Sequence, residues 1–161
     1  MPFTFLRPNS FMQNFVTFFA QTIKNQNAFY LAAGDGKVSF VDVRDIAAIA
    51  VDSLVDGVGS QHEGKAYNIT GGEALSFEQA AEILSEKVGK KINYVNISNE
   101  DVRKGMKDMG ADEWAINSMI EWFGIIKAGY PSAISPTVEQ ITGNKPISFS
   151  QSANDYADVF K

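Results

Sequence analysis

A chain of 161 residues with 45% apolar content and 12 phenylalanines can bury one ordinary core, and this composition excludes a disordered segment. Its 14 basic and 19 acidic residues give a net charge of -5, and the basic ones are scattered apart from the pairs Lys90-Lys91 and Arg103-Lys104, so the electrostatic footprint of a nucleic-acid binder is missing. With no cysteine and one histidine, disulfides, thiolate nucleophiles, cysteine-ligated zinc and histidine-cluster metal sites are excluded.

No apolar run approaches the length of a membrane span, and the amino terminus lacks the pattern of a secretion signal. A soluble cytoplasmic chain is expected, with neither nucleic acid nor membrane as partner.

Residues 3–6 form a short apolar run of strand type, ended by Pro8, which cannot donate to a sheet ladder. Ser10 with Gln13 matches the S-x-x-Q capping box and predicts a helix from residue 10 to about residue 24. Phe11, Phe15, Phe18, Phe19 and Ile23 recur there at helical spacing, with Met12 and Val16 widening the apolar face. Residues 28–31 and 38–43 read as short strands around the turn Gly34-Asp35-Gly36-Lys37, and residues 45–55 as a small-residue helix. A polar loop follows, and residues 66–69 enter another strand that stops at Thr70-Gly71-Gly72.

From Ser76 the signals sharpen. Ser76 and Gln79 make a second capping box, Phe77, Ala80, Ala81, Leu84 and Val88 form one stripe, and Gly89 sits where a left-handed cap belongs. Residues 91–97 alternate like a half-buried strand, and helices are predicted over residues 99–109 and 113–128, the latter carrying Ile116, Met119, Ile120, Trp122 and Phe123. Ser135 before Pro136 opens another helix, and Ser148 with Gln151 repeats the capping box for the last one. The alternation of strand and helix gives an α/β class, with a mostly helical later part.

A dinucleotide fold needs a glycine-rich turn after its first strand so that backbone amides can approach the pyrophosphate. Gly34-Asp35-Gly36 leads into a strand and Gly71-Gly72 has no second spaced glycine, so both read as turns. No tyrosine is followed four residues later by lysine. Asp45 reads as a carboxylate serving a helix start, and His62, between Gln61 and Glu63, as a solvated surface histidine. Trp114, Trp122 and Phe123 read as core packing, with closure of a pocket from the cap side as the alternative.

The strand end Leu6-Arg7-Pro8-Asn9, the segment Val41-Asp42-Val43-Arg44-Asp45-Ile46-Ala47, the Thr70-Gly71-Gly72 junction, Gly89-Lys90-Lys91 and Thr142-Gly143-Asn144-Lys145-Pro146 together resemble the NmrA-like family, an atypical branch of the short-chain dehydrogenases/reductases. The resemblance implies the C-terminal part of a Rossmann-type doubly wound sheet with a helical substrate-binding cap: residues 1–72 as last strands and helices, residues 73–161 as cap. It implies NADP or NAD as cofactor of the intact family, with weak or no binding by this chain alone because the phosphate-gripping first half is absent.

The resemblance further implies that Pro8, Asn9, Ser10 and Phe11 border the cofactor's nicotinamide end, and that Met12, Asn14 and Phe15 line a substrate pocket beside it, with Phe11 shared by the pocket wall. A turn backed by core aromatics is the competing reading of those residues. The functional expectation is the substrate-facing portion of an NAD(P)H-dependent oxidoreductase acting on a quinone-like or other small conjugated acceptor, inactive without the missing half. The alternative is a non-enzymatic redox sensor or interaction module. In either case a sheet cut open at residues 3–6 would expose an edge, predicting a homo-oligomer or a complex with the missing half.

Overall fold

The structure, a computed structural model, describes residues 2–161. In chain order it contains β1 (Thr4–Pro8), a π-helical turn (Phe15–Phe19) running into α1 (Ala20–Gln26), β2 (Ala28–Leu31), β3 (Lys37–Val38) and α2 (Val43–Val55). These are followed by β4 (Lys65–Ile69), β5 (Leu75–Ser76), α3 (Phe77–Val88), β6 (Asn93–Asn96), α4 (Asn99–Asp108), α5 (Glu113–Lys127), α6 (Thr137–Thr142) and α7 (Phe149–Asp155). Short 3-10 turns at Tyr130–Ser132 and Ala157–Phe160 complete it.

β1 is a parallel strand, as the opening run suggests. It pairs with β4 in the register Thr4 to Lys65 through Pro8 to Ile69, and Asn9 extends the ladder by donating its N–H to the Ile69 carbonyl at 2.9 Å. β2 pairs in parallel with β6, and β3 antiparallel with β5. The two strands expected around Gly34-Asp35-Gly36 therefore do not pair with each other, and the second is only two residues long. Two of the three ladders join strands on either side of residue 72.

The Ser10–Gln13 capping box does not form. Ser10 accepts the Val41 N–H at 2.9 Å and Met12 donates to the Val41 carbonyl at 2.9 Å, a strand-like bridge that holds this stretch out of the helix. Gln13 is used elsewhere: its Oε1 accepts the Val43 N–H at 3.1 Å. The helix then starts after Asn14, without a side-chain cap.

The Ser76–Gln79 box forms in full, and the buried residues of α3 are Phe77, Ala80, Ala81, Leu84 and Val88, the predicted stripe. A further box, Ser98 with Asp101, opens α4. Asp42, three residues before the expected Asp45, caps α2 by accepting the Arg44 N–H. At α7 only half the expected box forms, because the Gln151 amide reaches forward to Asp155.

The main core is built around one ring. Phe15 meets Phe149 at 5.0 Å, Phe19, Phe29 and Phe40 at 5.5 Å each, and Phe77 at 6.1 Å between centroids, mostly edge to face. A smaller cluster of Val41, Ile49, Ile69 and Val138, with Leu6 packed on it, lies on one side of the β1–β4 ladder. The other side of that ladder is bare: Phe3 is 47% and Phe5 53% exposed.

Phe15→Ala should therefore lower the unfolding free energy by about 3–5 kcal/mol, whereas Phe18→Ala, at a side chain open to solvent, should change it by less than about 0.5 kcal/mol. Urea denaturation of the two variants checks this, and similar losses would contradict it.

Candidate functional site

The carboxyl end of β1 opens on a cleft of about 290 Å³ lined by Pro8, Asn9, Ser10, Phe11, Asn14 and Trp122. This is the position at which parallel α/β layers place their ligands, outside the strand ends. Five of these residues come from one turn of chain, and the sixth comes from the middle of α5.

Asn9 holds that turn together. Its Oδ1 accepts the Ser10 N–H at 2.8 Å, and its Nδ2 donates to Ser39 Oγ and to the Pro131 carbonyl, both at 2.8 Å. Ser39 is buried; its N–H donates to the Pro131 carbonyl at 2.9 Å and its hydroxyl donates to the Ala133 carbonyl at 2.7 Å. One amide thus joins the end of β1, the segment after β3 and the turn that follows α5. Asn9 borders the cleft with a side chain already committed to the protein.

Ser10 and Asn14 differ from it: neither side chain hydrogen-bonds another described residue. Phe11 is 37% exposed and Trp122 is half-buried against the core, each facing the cleft. Met12 and Phe15 point the other way. Both are buried, and the gap of about 10 Å³ that they border is too small for an acceptor. In the turn closed by the Asn14 N–H to the Phe11 carbonyl and the Phe15 N–H to the Met12 carbonyl, both at 3.1 Å, Phe11 and Asn14 border the cleft while Met12 and Phe15 enter the core.

The segment of residues 39–42 lies just behind the turn, and a Cβ at Gly71 would collide with the Phe40 carbonyl, so glycine lets the end of β4 pass close. Burial pushes the Asp42 carboxyl up, but hydrogen bonds from the Arg44 guanidinium and backbone N–H outweigh that and hold it at about 2. Arg44 also reaches Asp155 of α7 at 2.8 Å, tying the last helix to the start of α2. Asp45 accepts the Ile147 N–H at 3.0 Å, and burial raises its carboxyl above the ordinary value. It serves the fold, at a distance along the chain from the cleft turn.

His62 is not a surface residue. It is buried, with Nδ1 2.9 Å from the Tyr67 hydroxyl, Nε2 3.1 Å from Asp56, and its carbonyl accepting from Thr4 Oγ1 at 2.8 Å. These contacts clamp the amino end of the β1–β4 ladder, away from the cleft. Trp114 is 79% exposed and Phe123 is buried, so of the three cap aromatics Trp122 alone lines the cleft. Among the described residues no group of acidic or histidine side chains could hold a metal ion, and no helix is long and apolar enough to cross a membrane.

Parallel ladders, one of them ending on this cleft, in a mostly helical α/β chain define the C-terminal part of a Rossmann-type reductase fold. The comparisons agree. The chain belongs to the NmrA-like family, whose model matches residues 1–157. It is 37% identical over 160 residues to an NAD(P)H azoreductase from Xenophilus azovorans, covering 99% of this chain and 54% of that protein. Among solved structures it is similar to an Escherichia coli NADPH-dependent quinone oxidoreductase in complex with NADPH, with a TM-score of 0.82, 25% identity and coverage of 96% of this chain and 53% of that one. It is also similar to a Citrobacter triphenylmethane reductase complexed with NADP(H), with a TM-score of 0.77, 25% identity and coverage of 98% and 53%. The chain spans about half the length of the curated relatives it matches.

The lowered Asp42 gives a pH test. A carboxylate held at about 2 against an ordinary 3.8 contributes stability that is present above 3.8 and lost as the pH falls through 2, about 2 kcal/mol in all. Asp42→Asn should cost roughly that amount at pH 7 and make the acid loss shallower between pH 4 and pH 2. Urea midpoints across that range read it, and an unchanged acid slope would contradict it.

Proposed function

We propose that this chain is the acceptor-facing portion of an NAD(P)H-dependent oxidoreductase that reduces a small conjugated acceptor such as a quinone or azo compound. The observation that carries this reading is the cleft at the carboxyl end of β1, bounded by Pro8, Asn9, Ser10, Phe11, Asn14 and Trp122. The similar proteins are an azoreductase, a quinone oxidoreductase and a triphenylmethane reductase, the last two solved with NADP(H).

The fit of the cofactor to the residues present is partial. Pro8, Asn9 and Ser10 suit the nicotinamide end: a rigid strand end, a pre-set backbone and a spare Ser10 hydroxyl. No glycine-rich turn leads from a strand into a helix among the described residues, so the pyrophosphate has no cradle here. When bound, the dinucleotide supplies a hydride. This chain's residues orient the acceptor and exclude water from it, and rate comes from proximity and orientation. No titratable side chain lines the cleft to act as a general acid.

NADPH should bind the chain alone more weakly than micromolar. Fused behind the dinucleotide-binding half of the Xenophilus azoreductase, the chain should oxidise NADPH with menadione. Calorimetry and absorbance at the reduced-nicotinamide band test both statements. A fusion that binds NADPH yet reduces no acceptor would contradict the reading.

The bare face of β1 supports a second reading, an interaction module. The Phe3 and Phe5 rings lie 4.7 Å apart, tilted by 33°, on the uncovered side of the ladder, and Val51, Leu54 and Val55 are exposed along α2. Parallel ladders are ordinarily covered on both faces. The chain alone should therefore self-associate, and sedimentation showing a monomer at every concentration would contradict that.

A further inference from the structure

We propose that Phe11 and Trp122 form an aromatic slot for a planar, electron-poor acceptor without negative charge, anchored by the Asn14 carboxamide, and that Trp122 is the residue that selects it. This rests on the cleft being the acceptor end of a reductase and goes further in naming what the cleft accepts and which residue decides.

Five of the seven buried phenylalanines, Phe15, Phe29, Phe40, Phe77 and Phe149, find other rings. Phe15 has five such partners, and Phe29, Phe40 and Phe77 each have several. Phe11 and Trp122 are outside this network: no ring of the described residues stacks on either, and both line the cleft. Their positions are fixed from behind. Phe11 is held by its parallel bridge to Val41, and Trp122 sits on a helix anchored by buried Ile116, Phe123 and Ile126. Two aromatic faces set by different elements suit a flat guest, since ring stacking rewards planarity.

Charge narrows the guest further. Every residue lining the cleft is uncharged, so an anionic acceptor would be desolvated there without a partner. The face of an indole is electron-rich and favours an electron-poor ring over an electron-rich one. Of the polar groups, the Asn9 amide is committed to three hydrogen bonds within the protein, which leaves the Ser10 hydroxyl, at the strand end assigned above to the nicotinamide, and the Asn14 carboxamide, beyond Phe11, to meet a carbonyl or nitrogen of the guest. A pocket of this kind, mostly apolar with a few free polar groups, fixes orientation through those groups.

The chain has 2 tryptophans, and Trp114 lies in solvent, so Trp114→Phe leaves Trp122 as the reporting indole. Menadione, a flat neutral quinone, should quench its emission saturably; camphorquinone, a bulky non-planar diketone, should not. Equilibrium dialysis of menadione should show affinity lowered about tenfold by Asn14→Ala, as expected for one lost hydrogen bond, lowered at least as much by Trp122→Ala, and largely restored in Trp122→Phe. Trp114→Ala should leave it unchanged, and circular dichroism checks that each variant is folded.

Absence of saturable quenching, equal binding of camphorquinone, or unchanged affinity in folded Trp122→Ala would overturn the proposal. The fused protein separates the two readings. Trp122-dependent binding without NADPH oxidation leaves the slot standing and removes the reductase reading. NADPH oxidation at an unchanged menadione KM in Trp122→Ala removes the slot and leaves the reductase.

Discussion

The site depends on one side-chain amide. Asn9 ends the parallel ladder of β1 with β4, and its three hydrogen bonds run to Ser10, Ser39 and Pro131. Pro131 lies in the turn just after α5, the helix that carries Trp122. The same amide therefore sets the strand end that presents Phe11 and restrains the helix that presents the opposite wall. A half-buried amide that satisfied only some of these partners would leave its own N–H groups or the Ser10 N–H unpaired, at about 1–3 kcal/mol each. That cost makes the junction a single arrangement.

Behind the cleft a phenylalanine cluster packs beside the buried polar groups of Ser39 and Asp42. The turn after β1 splits its residues by face: Phe11 and Asn14 go outward, and Met12 and Phe15 go into the core, where Phe15 becomes the ring that five others meet. The π-helical turn at Phe15–Phe19 follows directly. Such turns are frequent beside functional sites, because they rotate the faces that follow. The Arg44 bridge between Asp42 and Asp155 then fastens the last helix across the same region.

What was legible in the sequence was local. The α3 stripe, its capping box and Gly89 at a φ of 79° all lie within fourteen neighbouring residues and were readable from spacing alone. Ser10 and Gln13 carry the same signature and fail, because Val41 and Val43 compete for their hydrogen-bonding groups from about thirty residues away. His62 looked solvated between Gln61 and Glu63, yet Tyr67 and Asp56 enclose it. The family resemblance points to Pro8, Asn9, Ser10, Phe11 and Asn14, which line one cleft, and also to Met12 and Phe15, which turn into the core; helical spacing puts Phe15 on the stripe of Phe11, and the bridge of Phe11 to Val41 is what parts them. Ser39 had no local signal at all, and Trp122 was indistinguishable from its core neighbours until α5 was placed.

The central claim is that a flat acceptor is received where β1 ends, between the turn after it and α5. Amide chemical-shift mapping of the isotope-labelled chain during a menadione titration tests this most directly. Shifts confined to residues 8–14 and 118–126 would bear the claim out. Shifts centred on Phe3 and Phe5, on the His62 clamp, or nowhere would contradict it.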